Sequence, residues 1–218
     1  MQLLSLTKNR LPFLITLIFG IELTIYLWAV WTSTFDKGNF FAIEPAFIFD
    51  KCARIAGRIS SVLILLNLLM VGHFGLNKLY SEEKKKESFL VLITLFTINH
   101  LIHLLFVFLR FRSHGEVIQL DGPMHIGGNM HGFITFISII IIPVILWKYK
   151  NQNKFLHFVI ILYLFNISGF IMKTFSGKVV PPDHPAYHNQ FGIAVLTIAC
   201  LYVLYRAFFD KKRNVPAH

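Results

Sequence analysis

Apolar residues in this chain come in long runs, at about 12–33, 54–76, 89–109, 130–147, 155–173 and 187–208. Runs of about 20 such residues, wound as helices, match the hydrocarbon thickness of a bilayer. The pattern therefore predicts an all-α integral membrane bundle of six transmembrane helices. Together the runs take up most of residues 1–218, so the chain reads as a single transmembrane domain. The polar segments fall between them. SEEKKKE is a short charged loop. RFRSHGEVIQLDGPMHIGGN is the longest polar stretch, and its glycines and proline fit turns. SGKVVPPDHPAYHNQ leads into the sixth run. Pro143 is placed to kink the fourth span, which membrane helices tolerate.

Composition supports this reading. The chain is 55% hydrophobic and holds 23 phenylalanines. A soluble domain of this size needs more polar residues to cover its surface. No nucleotide-binding glycine motif is present. The formal net charge of +10 would fit nucleic acid, but its distribution fits a membrane better. When the ends and loops are assigned alternately to two sides, 13 of the lysines and arginines fall on the side of the termini and 8 on the other. The positive-inside rule then puts both termini in the cytoplasm, with a bacterial cytoplasmic membrane as the expected location and lipid, not nucleic acid, as the partner. Lys8 and Arg10 precede the first run as in a signal peptide. That run is long for a signal h-region and no small-residue cleavage site follows WAVWTSTF, so it reads as the first span. Cys52 falls near the outer surface and Cys200 mid-span, so no disulfide is expected.

Polar residues inside the runs carry the candidate chemistry. Ionisable groups in a membrane are costly and usually face a bundle interior or cavity. The third span holds NHLIHLL. Counting from Ser88 at about 1.5 Å per residue, His100 lies roughly 18 Å in and His103 roughly 22 Å in. They are three apart and share a face. His131 opens the fourth span. His184 and His188, four apart, flank the outer end of the sixth, and His114 and His125 lie in the long outer loop. Seven of the ten histidines thus map to the outer half; His73 and His157 lie on the inner side and His218 ends the chain. Imidazole is a favoured ligand for haem iron, zinc, copper and non-haem iron. Glu22, near the middle of the first span, is a candidate proton or quinone site. Arg54 and Arg58, four apart at the start of the second, are candidates for haem propionates or lipid phosphates.

The second to fifth spans resemble the ferric reductase-like transmembrane domain. RIAGRISSVLILL is similar to its second helix, LITLFTINHLIHLLFVFLR to its ligand-bearing third, HGFITFISIIIIPVILW to its fourth, and KFLHFVIILYL to its fifth. The resemblance covers about 120 residues. It implies six spans, cytoplasmic termini and b-type haem held by histidines of facing helices. In that family the third and fifth helices often carry two histidines each, 13 or 14 residues apart. Here Glu87 to Phe89 stand where the inner ligand of the third helix belongs, and Phe170 where the outer ligand of the fifth belongs. Completing a haem site then requires other partners: His131 or His188 with His103 or His100 at an outer site, and His73 with His157 at an inner one.

Three functional classes follow. The first is a membrane electron carrier with one or two b haems, fed by a quinone or a separate flavin-containing reductase, since the chain holds no flavin or nicotinamide domain. The second is a histidine-metal enzyme acting on a lipid. It would gather zinc, copper or iron from His100, His103, His131, His184 and His188, with Asp121 or Asp183 as acid, base or extra ligand. The third is a small transporter or assembly factor whose histidines serve packing and protonation.

Overall fold

The computed structural model describes residues 7–37, 45–113, 130–148, 154–176 and 187–209. Every element among them is helical. A single 3-10 turn, Lys8–Arg10, enters α1 (Leu11–Lys37). Then follow α2 (Pro45–Phe74), α3 (Leu76–Ser81), α4 (Glu83–Ser113), α5 (Met130–Lys148), α6 (Lys154–Ser176) and α7 (Tyr187–Phe209). Five helices are long and apolar enough to cross a membrane: α1, α2, α4, α6 and α7. The fourth expected span is helical too, as α5. Its described apolar part, Phe133–Lys148, is shorter than the other five. Pro143 lies inside α5, and the helix continues through it.

Two helix starts differ most from the sequence reading. α2 begins at Pro45 rather than near 54, and α4 at Glu83 rather than near 89. The extra turns hold Ala46 to Phe49, Asp50 and Lys51 in α2 and EKKKE in α4. Helices do not stop where the hydrocarbon stops. Proline suits a first helical position, and Glu and Lys are good helix formers. Most of SEEKKKE is thus helix rather than loop. Between α2 and α4 the chain turns at Gly75, whose φ of 71° suits glycine, and forms the short α3.

The centre of the fold is the α2–α4 pair. Its contact face on α2 is made of small residues: Cys52, Ala53, Ala56, Gly57 and Ser60. Cys52, Ala53, Ala56 and Ser60 are buried. Lipid tails are as apolar as leucine, so helices in a membrane associate through close packing and hydrogen bonds between them. Small residues allow that close approach. Asn99 of α4, itself buried, uses it. Its Nδ2 donates to the Ala56 carbonyl and to Ser60 Oγ, both at 2.9 Å.

The other helices pack around this pair. α1 lies along it: Ile18 packs with Val91 and Leu95, and Ala29 packs with Cys52, Ala53, Ala56 and Phe106. Lys51 Nζ donates to Thr32 Oγ1 across the α1–α2 seam. α5 is tied to α4 by Thr97 Oγ1 to the Ile139 carbonyl (3.2 Å) and by Trp147 Nε1 to Thr94 Oγ1 (2.9 Å). Asn166 Nδ2 of α6 donates to Thr135 Oγ1 of α5. Arg206 of α7 donates to the carbonyls of Gly72 and His73, which lie at the end of α2 and lack an onward helical partner. Leucine, isoleucine and phenylalanine of α2, α4, α6 and α7 fill the largest apolar cluster, towards the α3 end. Outward faces are apolar as well: Phe13, Trp31, Val62, Phe155, Phe158, Phe191 and Ile198 are exposed, as a lipid-facing surface requires.

The α2–α4 contact gives a first prediction. Asn99→Ala removes two hydrogen bonds between helices and leaves Ser60 without that donor. Such bonds are worth about 0.6–2 kcal/mol each in membranes. The variant is expected to unfold at lower denaturant than the wild type in mild detergent. Asn99→Gln, which keeps the amide, is expected to recover part of the loss.

Candidate functional site

Polar groups of α1, α2 and α4 lie at one depth of the bundle, and those of α2 and α4 meet there. Asn99, His100 and His103 lie on adjoining positions of the α4 face turned to the interior. Asn99 is spent on α2, as described. His103 Nδ1 lies 2.8 Å from the Ala53 carbonyl oxygen. A carbonyl only accepts, so Nδ1 carries the proton. In the neutral ring the lone pair is then on Nε2. Gly57 makes this possible. A Cβ there would stand 3.1 Å from His103 Cε1, so the imidazole rests directly on glycine backbone. His100 is 5% exposed, and its ring stacks on Phe96 (centroids 5.4 Å, 25°). It also lies beside His103 (5.3 Å, 48°). His100 Nδ1 and Asn99 Oδ1 are buried with no hydrogen-bond partner among the described residues.

Glu22 belongs to the same layer. On α1 it falls one turn beyond Ile18, which packs on Val91 and Leu95, and short of Ile25, Tyr26 and Ala29, which pack with Ile102 and Phe106. That puts it level with Ile98–Ile102 of α4. Its side chain is 3% exposed, and neither carboxyl oxygen has a hydrogen-bond partner among the described residues. Charge on such a group is costly unless a cation or proton accompanies it.

The inner histidines are placed differently. His73 is exposed and packs edge-on against Phe74 (4.7 Å). It does not face the interior with His157. His157 lies near Tyr80 of α3 (6.0 Å), with Lys86 Nζ over the Tyr80 ring (5.6 Å). His157 Nε2 and Tyr80 Oη are buried with no hydrogen-bond partner among the described residues. Burial pushes the Tyr80 phenol above its usual range, so the hydroxyl keeps its proton.

Among the remaining expected residues, His131 and His188 stand in the first turns of α5 and α7, and their side chains lie outside the described atoms. Thr97 meets Ile139, and His131 precedes Ile139 by eight residues, about 12 Å outward along α5. His103 follows Thr97 by six, about 9 Å outward along α4, so the two backbones begin at similar depth. His184, His114, His125, Asp121 and Asp183 lie outside the described residues. Arg54 bonds Asp50 (2.5 Å), which also receives Arg110 Nε (3.3 Å); Arg58 is exposed. Cys52 and Cys200 are both free and buried.

Two cofactor expectations can be tested against this geometry. A bis-histidine haem needs opposed imidazoles across a flat slot. The described residues supply one suitable ligand, His103, whose Nδ1–H on a carbonyl is the arrangement that orients a ligating imidazole. They do not supply its opposite, and the contact of the ring with Gly57 leaves no slot between α2 and α4. The haem does not fit the described residues as they stand. For a metal enzyme, no group of three or more His, Cys, Asp or Glu side chains converges among the described residues.

Sequence reading missed Asn99, Ser60 and Gly57 as parts of the site. Their signal is present. Ala53-x-x-x-Gly57 and Ala56-x-x-x-Ser60 are small-xxx-small pairs, which mark a close helix–helix contact in membranes. No protein-family model matches the chain, and no curated protein or solved structure matches it.

The His103 geometry is open to direct measurement. Histidine-selective 15N NMR of the protein in lipid should show one neutral ring protonated at Nδ1, missing in His103→Ala. Gly57→Val puts bulk where the ring lies and is expected to abolish that signature while the helical content stays the same.

Proposed function

We propose that this protein moves protons within the membrane, as a proton-coupled carrier, through the layer of Glu22, Asn99, His100 and His103. The observation that carries this reading is Glu22: a buried carboxyl in the α1–α2–α4 seam, with no partner for either oxygen among the described residues. A carboxyl placed only for packing would be expected to have a donor. At the same depth on α4 are side chains suited to relay. Imidazole exchanges protons near neutral pH and has two distinct nitrogens. His103 is held in one orientation by Ala53, while His100 Nδ1 and Asn99 Oδ1 have unmet hydrogen-bonding capacity. Intramembrane Asp, Glu and His groups of this kind mark proton relays in pumps and transporters. In this reading α5 is the sixth span and both termini are cytoplasmic, as the charge distribution implies.

A second reading is an electron carrier of the ferric reductase-like kind, holding b haem. It is favoured by the His103 Nδ1 contact with Ala53, which assigns the lone pair to Nε2. His131 starts α5 at a similar depth and is the candidate for the opposite ligand.

One preparation separates the two. In proteoliposomes with an imposed potassium potential and a trapped pH dye, the wild type is expected to pass protons faster than protein-free liposomes. Glu22→Gln is expected to fall to the protein-free rate. A wild type that does not exceed protein-free liposomes overturns the carrier reading. A Soret band in the same purified protein, lost in His103→Ala, favours the electron carrier instead.

A further inference from the structure

Among the described residues, the end of the bundle where α2 begins carries more arginine than carboxylate. Arg54, Arg58 and Arg110 lie there, and Asp50 is the carboxylate that two of them share. Arg54 bonds it at 2.5 Å and Arg110 Nε reaches it at 3.3 Å. Arg58 is one turn further along α2. It forms no hydrogen bond or ion pair with any described residue and is exposed. Its guanidinium offers five N–H donors and no acceptor.

The depth of Arg58 makes this charge consequential. Arg58 precedes Phe74, the last residue of α2, by 16 positions, about 24 Å along the helix. The hydrocarbon is about 30 Å thick. With Phe74 at one boundary, the Arg58 backbone falls about 6 Å inside the other, and Arg54 about level with it. The same face of α2 continues through Val62, Leu66 and Leu69, all exposed and apolar. That face meets lipid tails. A permanently charged side chain on it must reach up to the headgroups. There it meets the exposed Arg54, whose side chain is 64% exposed while paired to Asp50. Two guanidiniums at successive turns of one lipid-facing stripe present planar donor forks, which match phosphate oxygens.

We infer that Arg58, with Arg54 above it, binds the phosphate of an anionic phospholipid whose acyl chains lie along Val62, Leu66 and Leu69 of α2. The apolar stripe continuing below the charges selects a lipid over a free anion. The excess of guanidinium over carboxylate selects an anionic headgroup over a zwitterionic one. The site lies on the outer face of the helix that holds His103 on its inner face: Arg58 adjoins Gly57 in sequence. The inference rests on the charge and depth of Arg58 and is independent of the proton-carrier reading.

Native mass spectrometry of the full chain in mild detergent tests it. Phosphatidylglycerol, phosphatidylcholine and inorganic phosphate are titrated separately. Phosphatidylglycerol adducts are expected at several-fold lower concentration than phosphatidylcholine adducts, with no displacement by inorganic phosphate. Arg58→Gln is expected to reduce phosphatidylglycerol occupancy several-fold, and Arg58→Lys to restore part of it. Arg112→Gln, at the end of α4, serves as a control for loss of one positive charge and should bind as the wild type does. Because Arg58 lies outside the packed interior, its variants should keep wild-type helicity and elution volume. Equal phosphatidylglycerol occupancy in the wild type and Arg58→Gln overturns the site. Displacement by inorganic phosphate overturns the lipid and leaves a free-anion site.

Discussion

A polar group in hydrocarbon must find its partner inside the protein, and in this fold that constraint is met at the α2–α4 contact. Asn99 reaches a backbone carbonyl and a serine hydroxyl of α2 only because the facing residues are alanine, glycine and serine. Larger side chains would hold the helices apart and strand the amide. The same approach brings the Ala53 carbonyl to His103. That carbonyl already accepts within its own helix, and its second lone pair serves the imidazole. The small-residue stripe thus does two jobs. It packs the bundle where hydrophobic burial gives no drive, and it fixes the orientation of a titratable ring.

This close contact also decides which chemistry the site can hold. A tightly packed α2–α4 seam has no slot for a porphyrin, whatever nitrogen His103 presents. Among the described residues, the unmet polar atoms of Glu22, Asn99 and His100 are instead small and distributed: two carboxyl oxygens, one amide oxygen and one ring nitrogen. Protons and water molecules fit such a set better than a large planar group. Water can bridge buried polar groups where two to four partners converge. A haem would have to approach from the α5 side, where His131 stands and α5 is joined to α4 by only a few side-chain bonds. The two readings therefore place function on different faces of α4.

Five of the six expected spans were legible in the sequence because hydrocarbon imposes a length on apolar runs. Two helix starts were not, since the charged stretch Glu83 to Glu87 continues α4 past its apolar run, and Asp50 and Lys51 separate Ala46 to Phe49 from the apolar run of α2 that follows. NHLIHLL was legible as an interior face, and its polar residues do lie on the inward side of α4. The role of Asn99 was harder to see, because it depends on which residues of α2 stand opposite. His73 shows the converse limit. Its position near His157 in depth invited a pairing, but position along a helix leaves the azimuth open. His73 falls on the exposed side, next to Phe74, while Tyr80 occupies the place beside His157. Tyr80 sits on α3, a helix of one and a half turns that carries too little pattern to be read.

Azimuth also separates the charges of α2. Arg54 and Arg58 share the exposed side of the helix, while Ala53, Ala56, Gly57 and Ser60 share the packed side, so one segment, ARIAGRISS, serves lipid and protein at once. Arginine is suited to the first role because it stays charged at any depth and its long stem can follow the helix to the headgroups. Small residues are suited to the second because they add nothing to the interface but proximity. A lipid phosphate held on Arg58 would therefore bear on the same turn of α2 that supports His103. The link would run through Gly57, whose backbone has the imidazole on one side and whose neighbour carries the guanidinium on the other. A helix turn loaded from both sides is a short physical route by which the surrounding lipid can influence the proton-bearing layer.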